Sequence, residues 1–157
     1  MITLAGIIDE DFVNYRVPSM VLEFPYCSFK CGAEYCQNSL LADAANIEIS
    51  EDTIYNRYKS NPITQAVVLQ GLEPFDSWED VKSLLFVFRI HNVCFDDIVI
   101  YTGYDKHEIS DKIDYIKSMF SNVVVKYGRF IPNQSPHYDE VLGVKLASNN
   151  QYAERIN

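Results

Sequence analysis

Four short runs of apolar residues, with segments of helical spacing between them, leave this chain few folds to choose from. Met20-Val21-Leu22-Glu23-Phe24, Ala66-Val67-Val68-Leu69-Gln70, Ile98-Val99-Ile100-Tyr101 and Val123-Val124-Val125 read as strands, with Val144-Lys145-Leu146-Ala147 as a fifth. Between them lie helical patterns. Ser50 reads as a cap with Glu51 and Asp52 in the first turn, where acidic groups suit the helix dipole. Ser77 reads as the cap of a helix carrying Val81, Leu84, Leu85 and Phe88, and Ile109, Ile113, Ile116 and Phe120 mark a third. Strands that are apolar on both faces need cover on both, which points to a parallel sheet joined by right-handed helical crossovers. A βαβ unit takes roughly 25–30 residues, so the length allows four to six of them. The expected fold is therefore α/β: a small open partial (β/α) barrel with a mainly parallel sheet, one domain over residues 1–157, and not a complete eight-stranded barrel.

Composition narrows what such a fold does. Hydrophobic residues make up 48% of the 157 and charged residues 22%, enough to build a packed core. The formal charge of −9, from 13 basic and 22 acidic side chains, argues against gripping a phosphate backbone, so no nucleic acid is expected as partner. No apolar run approaches the roughly 20 residues that span a bilayer, and no membrane association is expected. Met1 to Asp9 lack a basic start and a small-residue cleavage site, so the expected location is cytoplasmic.

The residues that break the apolar pattern sit just after the strands. Cys27 follows the first, Gly71-Leu72-Glu73-Pro74 the second, Thr102-Gly103 the third, Gly128 the fourth, and Ser148-Asn149-Asn150-Gln151 the fifth. Parallel α/β folds bind ligands at the carboxyl ends of their strands, so these five loops are expected to meet at one edge.

Three of the four cysteines, Cys27, Cys31 and Cys36, fall within ten positions, with three residues in the first gap and four in the second. In a cytosolic chain such a cluster is more often a metal site than a disulfide framework. A structural zinc ion takes four ligands, and His91, His107 and His137 are all distant in sequence. Three thiolates without a local fourth ligand suit a four-iron cluster with one open iron. A zinc site completed from afar and cysteines with a redox role or none remain alternatives. Cys94 stands alone and reads as a small buried residue.

Together these residues resemble the radical S-adenosylmethionine superfamily, and within it the activating components of anaerobic ribonucleoside-triphosphate reductases. Leu4-Ala5-Gly6-Ile7-Ile8, then Asn14-Tyr15-Arg16 and the first strand, look like that family's opening. Cys27, Cys31 and Cys36 match its three cluster ligands, and Tyr35 matches the aromatic residue that contacts adenine. Gly71-Leu72-Glu73-Pro74 resembles the family's Gly-Gly-Glu-Pro, which binds the methionine amino group. Tyr101-Thr102-Gly103-Tyr104 and Ser148-Asn149-Asn150-Gln151 are similar to further stretches of these activases. Two departures stand out: the family's second cysteine gap is two residues, and Leu72 replaces its second glycine.

The resemblance implies a [4Fe-4S] cluster on Cys27, Cys31 and Cys36, and S-adenosyl-L-methionine held by Tyr35, Gln37, Gly71, Leu72, Glu73, Tyr101, Thr102, Gly103, Ser148 and Asn149. It implies reductive cleavage of that cofactor to a 5′-deoxyadenosyl radical, which takes hydrogen from a glycine of the large subunit of an anaerobic ribonucleotide reductase. An electron donor such as flavodoxin is implied too. Cofactors of this kind supply chemistry that side chains cannot, so no catalytic side chain beyond cluster and cofactor is assigned. Other readings are an activase or modifying enzyme for a different protein or peptide, and a non-catalytic zinc-stabilised binding module. An open barrel of this size cannot wholly enclose a radical, so a partner surface is expected to complete the wall.

Overall fold

The computed structural model describes residues 1–28, 43–90 and 94–157. Its strands in chain order are β1 (Ile2–Leu4), β2 (Gly6–Asp11), β3 (Ser19–Phe24), β4 (Ile47–Ile49), β5 (Ala66–Gly71), β6 (Asp97–Tyr101), β7 (Val123–Tyr127), β8 (His137–Asp139), β9 (Val144–Leu146) and β10 (Tyr152–Arg155). The helices are α1 (Glu51–Lys59), α2 (Trp78–Ile90) and α3 (Ser110–Met119), and 3₁₀ turns at Pro74–Ser77 and Lys106–Ile109 lead into the latter two. Six strands form one sheet in the order β10-β7-β6-β5-β3-β2. The four central strands run parallel, and β2 and β10 close the two edges antiparallel. Among the described residues no strand joins those edges, so the barrel stays open, as the alternation of strand and helix in the sequence implies.

The parallel strands are those read from the apolar runs, because burial on both faces is what those runs require. Val144–Leu146 is a strand but not a fifth parallel one. It pairs with His137–Asp139 in a separate hairpin. The Asp139 carboxylate accepts from the Leu142 and Ala153 backbone N–H groups, and Gly143 turns the chain at φ 72°. That local turn folds the segment back before it can reach the sheet. The edge place goes instead to β10, whose sequence Tyr-Ala-Glu-Arg carries no run long enough to announce it.

The two faces of the sheet are covered differently. On one side lie the three helices of the described residues. Ile54, Tyr55 and Tyr58 of α1, Val81, Leu84, Leu85 and Phe88 of α2, and Ile113 and Ile116 of α3 pack on Met20, Leu22, Val67, Leu69, Ile98, Ile100, Val123 and Val125. Each such fully buried side chain contributes about 1.5–3 kcal/mol of transfer free energy. On the other side a cross-strand row of small residues, Val21, Val68, Val99 and Val124, meets Tyr15, Leu142 and Leu146. Irregular chain and the β8–β9 hairpin fill this face, with no helix on it among the described residues. The Tyr15 hydroxyl donates to Asp97, which also takes both terminal nitrogens of Arg155 and so fastens the plug to the amino end of β6.

Ser50 caps α1 as expected, its hydroxyl accepting from the Thr53 N–H at 3.1 Å. Ser77 does not cap α2. The helical turn begins earlier, with the Glu73 carboxylate accepting from the Phe75 N–H at 3.0 Å, and the 3₁₀ turn runs directly into α2. Pro74 supplies the pre-set φ of a first helical position, which moves the start upstream. No described helix is long and apolar enough to cross a membrane.

Candidate functional site

Side chains alternate across a strand, so the residue two places beyond each central valine faces the same way. Those residues are Glu23, Gln70, Tyr101 and Lys126. Glu23 pairs with Gln70, and Tyr101 with Lys126, in the same register that aligns the valines. An apolar row is thus succeeded, one step toward the carboxyl ends of the strands, by a polar one. Above it opens a cleft of about 290 Å³.

The loops singled out in the sequence meet at this cleft. Cys27, Gly71, Leu72, Glu73, Tyr101, Thr102, Gly103 and Gly128 all line it, and Ala147 brings in the loop after β9. Ser148 and Asn149 do not line it. Ser148 is fully buried, its hydroxyl accepting from the Ile131 N–H and donating to Asn150 Oδ1. Asn149 is exposed, and its N–H donates to Gln134 Oε1. The member of that segment that reaches the cleft is Gln151, whose amide donates to the Gly128 carbonyl. Cys31, Tyr35, Cys36 and Gln37 lie outside the described residues.

Gly71 is required by geometry. Its φ is 99°, and a Cβ there would stand 2.5 Å from the Phe24 backbone nitrogen. Leu72 needs no such freedom. Among the described residues the non-glycine positions of positive φ are Asn122 and Asn133, so a side chain is tolerated at Leu72, where the Gly-Gly-Glu-Pro motif it resembles has a glycine. The Leu72 N–H donates to the Phe24 carbonyl, which fixes the backbone while the residue borders the cleft.

Glu73 is only 4% exposed. Besides the Phe75 N–H, its carboxylate accepts from the Thr102 hydroxyl and the Gly103 N–H, both at 2.8 Å. Desolvation pushes its carboxyl up to about 7, against the opposing pull of these three donors. The side chain therefore joins the loops after β5 and β6, and its carboxylate is already in use at the edge of the cleft.

The sequence reading missed Lys126 and Gln70. Lys126 is 7% exposed, and its ammonium donates to the carbonyls of Gly128 at 2.9 Å and Thr102 at 3.4 Å, lying 5.8 Å from the Tyr101 ring centre. Among the described residues no carboxylate comes within ion-pair distance of it. Desolvation brings its amine down to about 8, with the Glu73 charge acting the other way. The signal was present as a lysine inside Val-Val-Val-Lys-Tyr, at a place where a buried strand has no use for a charge. A buried ammonium held only by neutral carbonyls at the end of a cleft suits a carboxylate or another anion.

Cys27 places a thiol at the rim of the same cleft, and it is the one proposed iron ligand among the described residues. No group of three or more histidine, cysteine or carboxylate side chains able to hold a metal ion occurs among the described residues, so a cluster needs the remaining thiols of the Cys27–Cys36 loop.

A family model described as a 4Fe-4S single cluster domain matches residues 16–152, most of the chain. No curated protein matches the chain. No solved structure matches it either.

Proposed function

The chain belongs to the 4Fe-4S single cluster domain family, and on that premise we propose that it is a radical S-adenosylmethionine activase whose substrate is a glycine of an anaerobic ribonucleotide reductase large subunit. Cys27, Cys31 and Cys36 hold the [4Fe-4S] cluster in this reading, and a donor such as flavodoxin reduces it. Bound together, cluster and cofactor supply the one-electron cleavage that ends in hydrogen abstraction from the partner.

The observation that carries the proposal is the meeting of Cys27, the Gly71–Glu73 turn and the Lys126 ammonium, which has no carboxylate partner among the described residues, in one cleft at the carboxyl ends of parallel strands. S-adenosylmethionine has an amine and a carboxylate at one end and an adenosine at the other. The chain's own groups match that polarity. Lys126 meets the carboxylate, carbonyls of the Gly71-Leu72-Glu73 turn accept from the amine, and Gln70 and Tyr101 furnish the wall between them. Glu73 keeps the turn in place through Thr102 and Gly103 rather than acting as an acid or base. The partner closes the open side and keeps water from the reacting atoms.

Anaerobic purification with iron, sulfide and zinc analysis, followed by addition of reductant and S-adenosylmethionine, tests the proposal. About four irons per chain, formation of 5′-deoxyadenosine, and a glycyl radical signal in an added reductase subunit are expected. One zinc in place of iron overturns it in favour of a binding module. Nucleoside formation with a radical only in some other protein or peptide reassigns the substrate.

A further inference from the structure

The residues on either side of Cys27 are both gripped by one loop. The Glu73 N–H donates to the Tyr26 carbonyl at 2.8 Å. Two residues on, the Ser28 N–H donates to Asp76 Oδ2 at 3.0 Å. The other oxygen of Asp76 accepts from the Tyr104 hydroxyl at 2.5 Å. Tyr104 is itself anchored: its N–H donates to the Thr102 hydroxyl, and its carbonyl accepts from the Gly128 N–H. The Asp76 carboxylate therefore connects the loops after β3, β5 and β6, and Tyr104 carries the connection on to the loop after β7.

Asp76 has no local need for these bonds. It lies in the four-residue 3₁₀ turn whose amino end is capped by Glu73, and it is exposed. Its partners are 48 and 28 positions away. An exposed carboxylate loses little by staying in water, so holding two remote donors at once is a geometric device more than a source of stability.

We propose that Asp76 is a positioning residue for the Cys27 thiolate: it fixes the Ser28 N–H and so sets where the first cluster ligand stands relative to the Gly71–Glu73 turn. The proposal rests on the reading of Cys27 as an iron ligand. It assigns Asp76 no contact with the cofactor. Groups that orient metal ligands typically alter metal retention by 10–100-fold when removed. Hydrogen bonds near cluster sulfurs also tune the potential. Loss of Asp76 releases the Ser28 N–H and removes a negative charge, and both changes shift the cluster potential upward.

The test uses the anaerobically reconstituted full chain carrying Asp76→Ala, Asp76→Asn or Tyr104→Phe. Cluster loss to a chelator, the electron paramagnetic resonance spectrum of the reduced cluster and its midpoint potential are measured, with circular dichroism and melting as checks on the fold. Asp76→Ala is expected to lose its cluster about tenfold faster or more, with an altered spectrum and a higher potential. Asp76→Asn keeps one oxygen for the Ser28 N–H and an amide for the tyrosine oxygen, so it is expected to restore retention and spectrum. Tyr104→Phe is expected to fall between them. Wild-type loading with unchanged retention, spectrum and potential in Asp76→Ala overturns this inference alone. An asparagine variant no better than the alanine one overturns it in favour of a charge effect. A wild-type chain that takes up no cluster at these cysteines overturns both the inference and the reading beneath it.

Discussion

The Thr102 hydroxyl donates to Glu73 Oε1 at 2.8 Å, and through that bond the end of β6 is pinned to the turn that follows β5. The next residue, Gly103, gives its N–H to the other oxygen. A residue that the family resemblance puts beside a ligand is thus also the brace of its own loop.

This brace predicts a pH dependence. Burial holds the Glu73 carboxyl at about 7 in the folded chain against an ordinary 4.5. The folded state binds the proton more tightly, so this group's contribution is fully present below about pH 4.5 and is lost as pH rises to about 7. The difference corresponds to about 3 kcal/mol. Glu73→Gln cannot ionise and is expected to lose that slope. Urea unfolding at about pH 5 and about pH 7.5 measures it. Equal slopes in the two proteins would refute the assignment.

Lys126 predicts the opposite trade. Burial depresses its amine to about 8 from 10.5, so the charged lysine costs stability at neutral pH, and that cost fades as pH rises from about 8 toward 10.5. Lys126→Met is expected to gain about 1–3 kcal/mol. The same variant is expected to bind S-adenosylmethionine about tenfold more weakly or worse. Thermal melting and equilibrium dialysis read the two effects separately. A variant that melts lower and binds as well as wild type contradicts the role.

Two glycines at the cleft are expected to behave differently. Gly71→Ala forces a left-handed backbone and a Cβ into immovable main chain, 2.5 Å from the Phe24 nitrogen and 2.8 Å from its oxygen. A loss of about 2 kcal/mol or more is expected. At Gly103 a Cβ would meet Arg129 Cγ and Glu73 Oε2 at 3.5 Å, ordinary contact, and Gly103→Ala is expected to change stability by less than about 0.5 kcal/mol. Denaturant midpoints of both variants decide the matter.

The two serines read as caps also separate. Ser50→Ala removes a hydroxyl that accepts from the Thr53 N–H and is expected to cost about 1 kcal/mol. Ser77 Oγ is buried without a hydrogen-bond partner among the described residues, so Ser77→Ala is expected to be neutral or mildly stabilising. A matching loss in both variants would restore Ser77 as a cap.

How legible the molecule was depended on how local each cause is. Val67-Val68-Leu69 and Val123-Val124-Val125 announce buried parallel strands because burial on both faces leaves no other pattern. β10 is paired by its neighbour β7, not by its own composition, and Tyr152-Ala153-Glu154-Arg155 carries no comparable mark. Ser77 looked like a cap because the residues after it are helical, whereas Glu73 had already begun the turn and then reached on to Thr102. At the site, the family likeness singles out Cys27 and Gly71–Glu73, which all border the cleft. Lys126 and Gln70 required the register of the sheet, since only pairing shows that they stand in one row. Ser148 looked suited to ligand contact, yet its hydroxyl is spent on Asn150 in its own loop and on the Ile131 N–H in the loop after β7.

The valines beneath that polar row, packed against Tyr15, Leu142 and Leu146, give the cleft an apolar floor. In the proposed reading, a molecule seated against Lys126 rests on that floor, as a tool in a socket does. Under the proposed reading, whatever that molecule acts on is offered up to it from outside rather than drawn into the barrel.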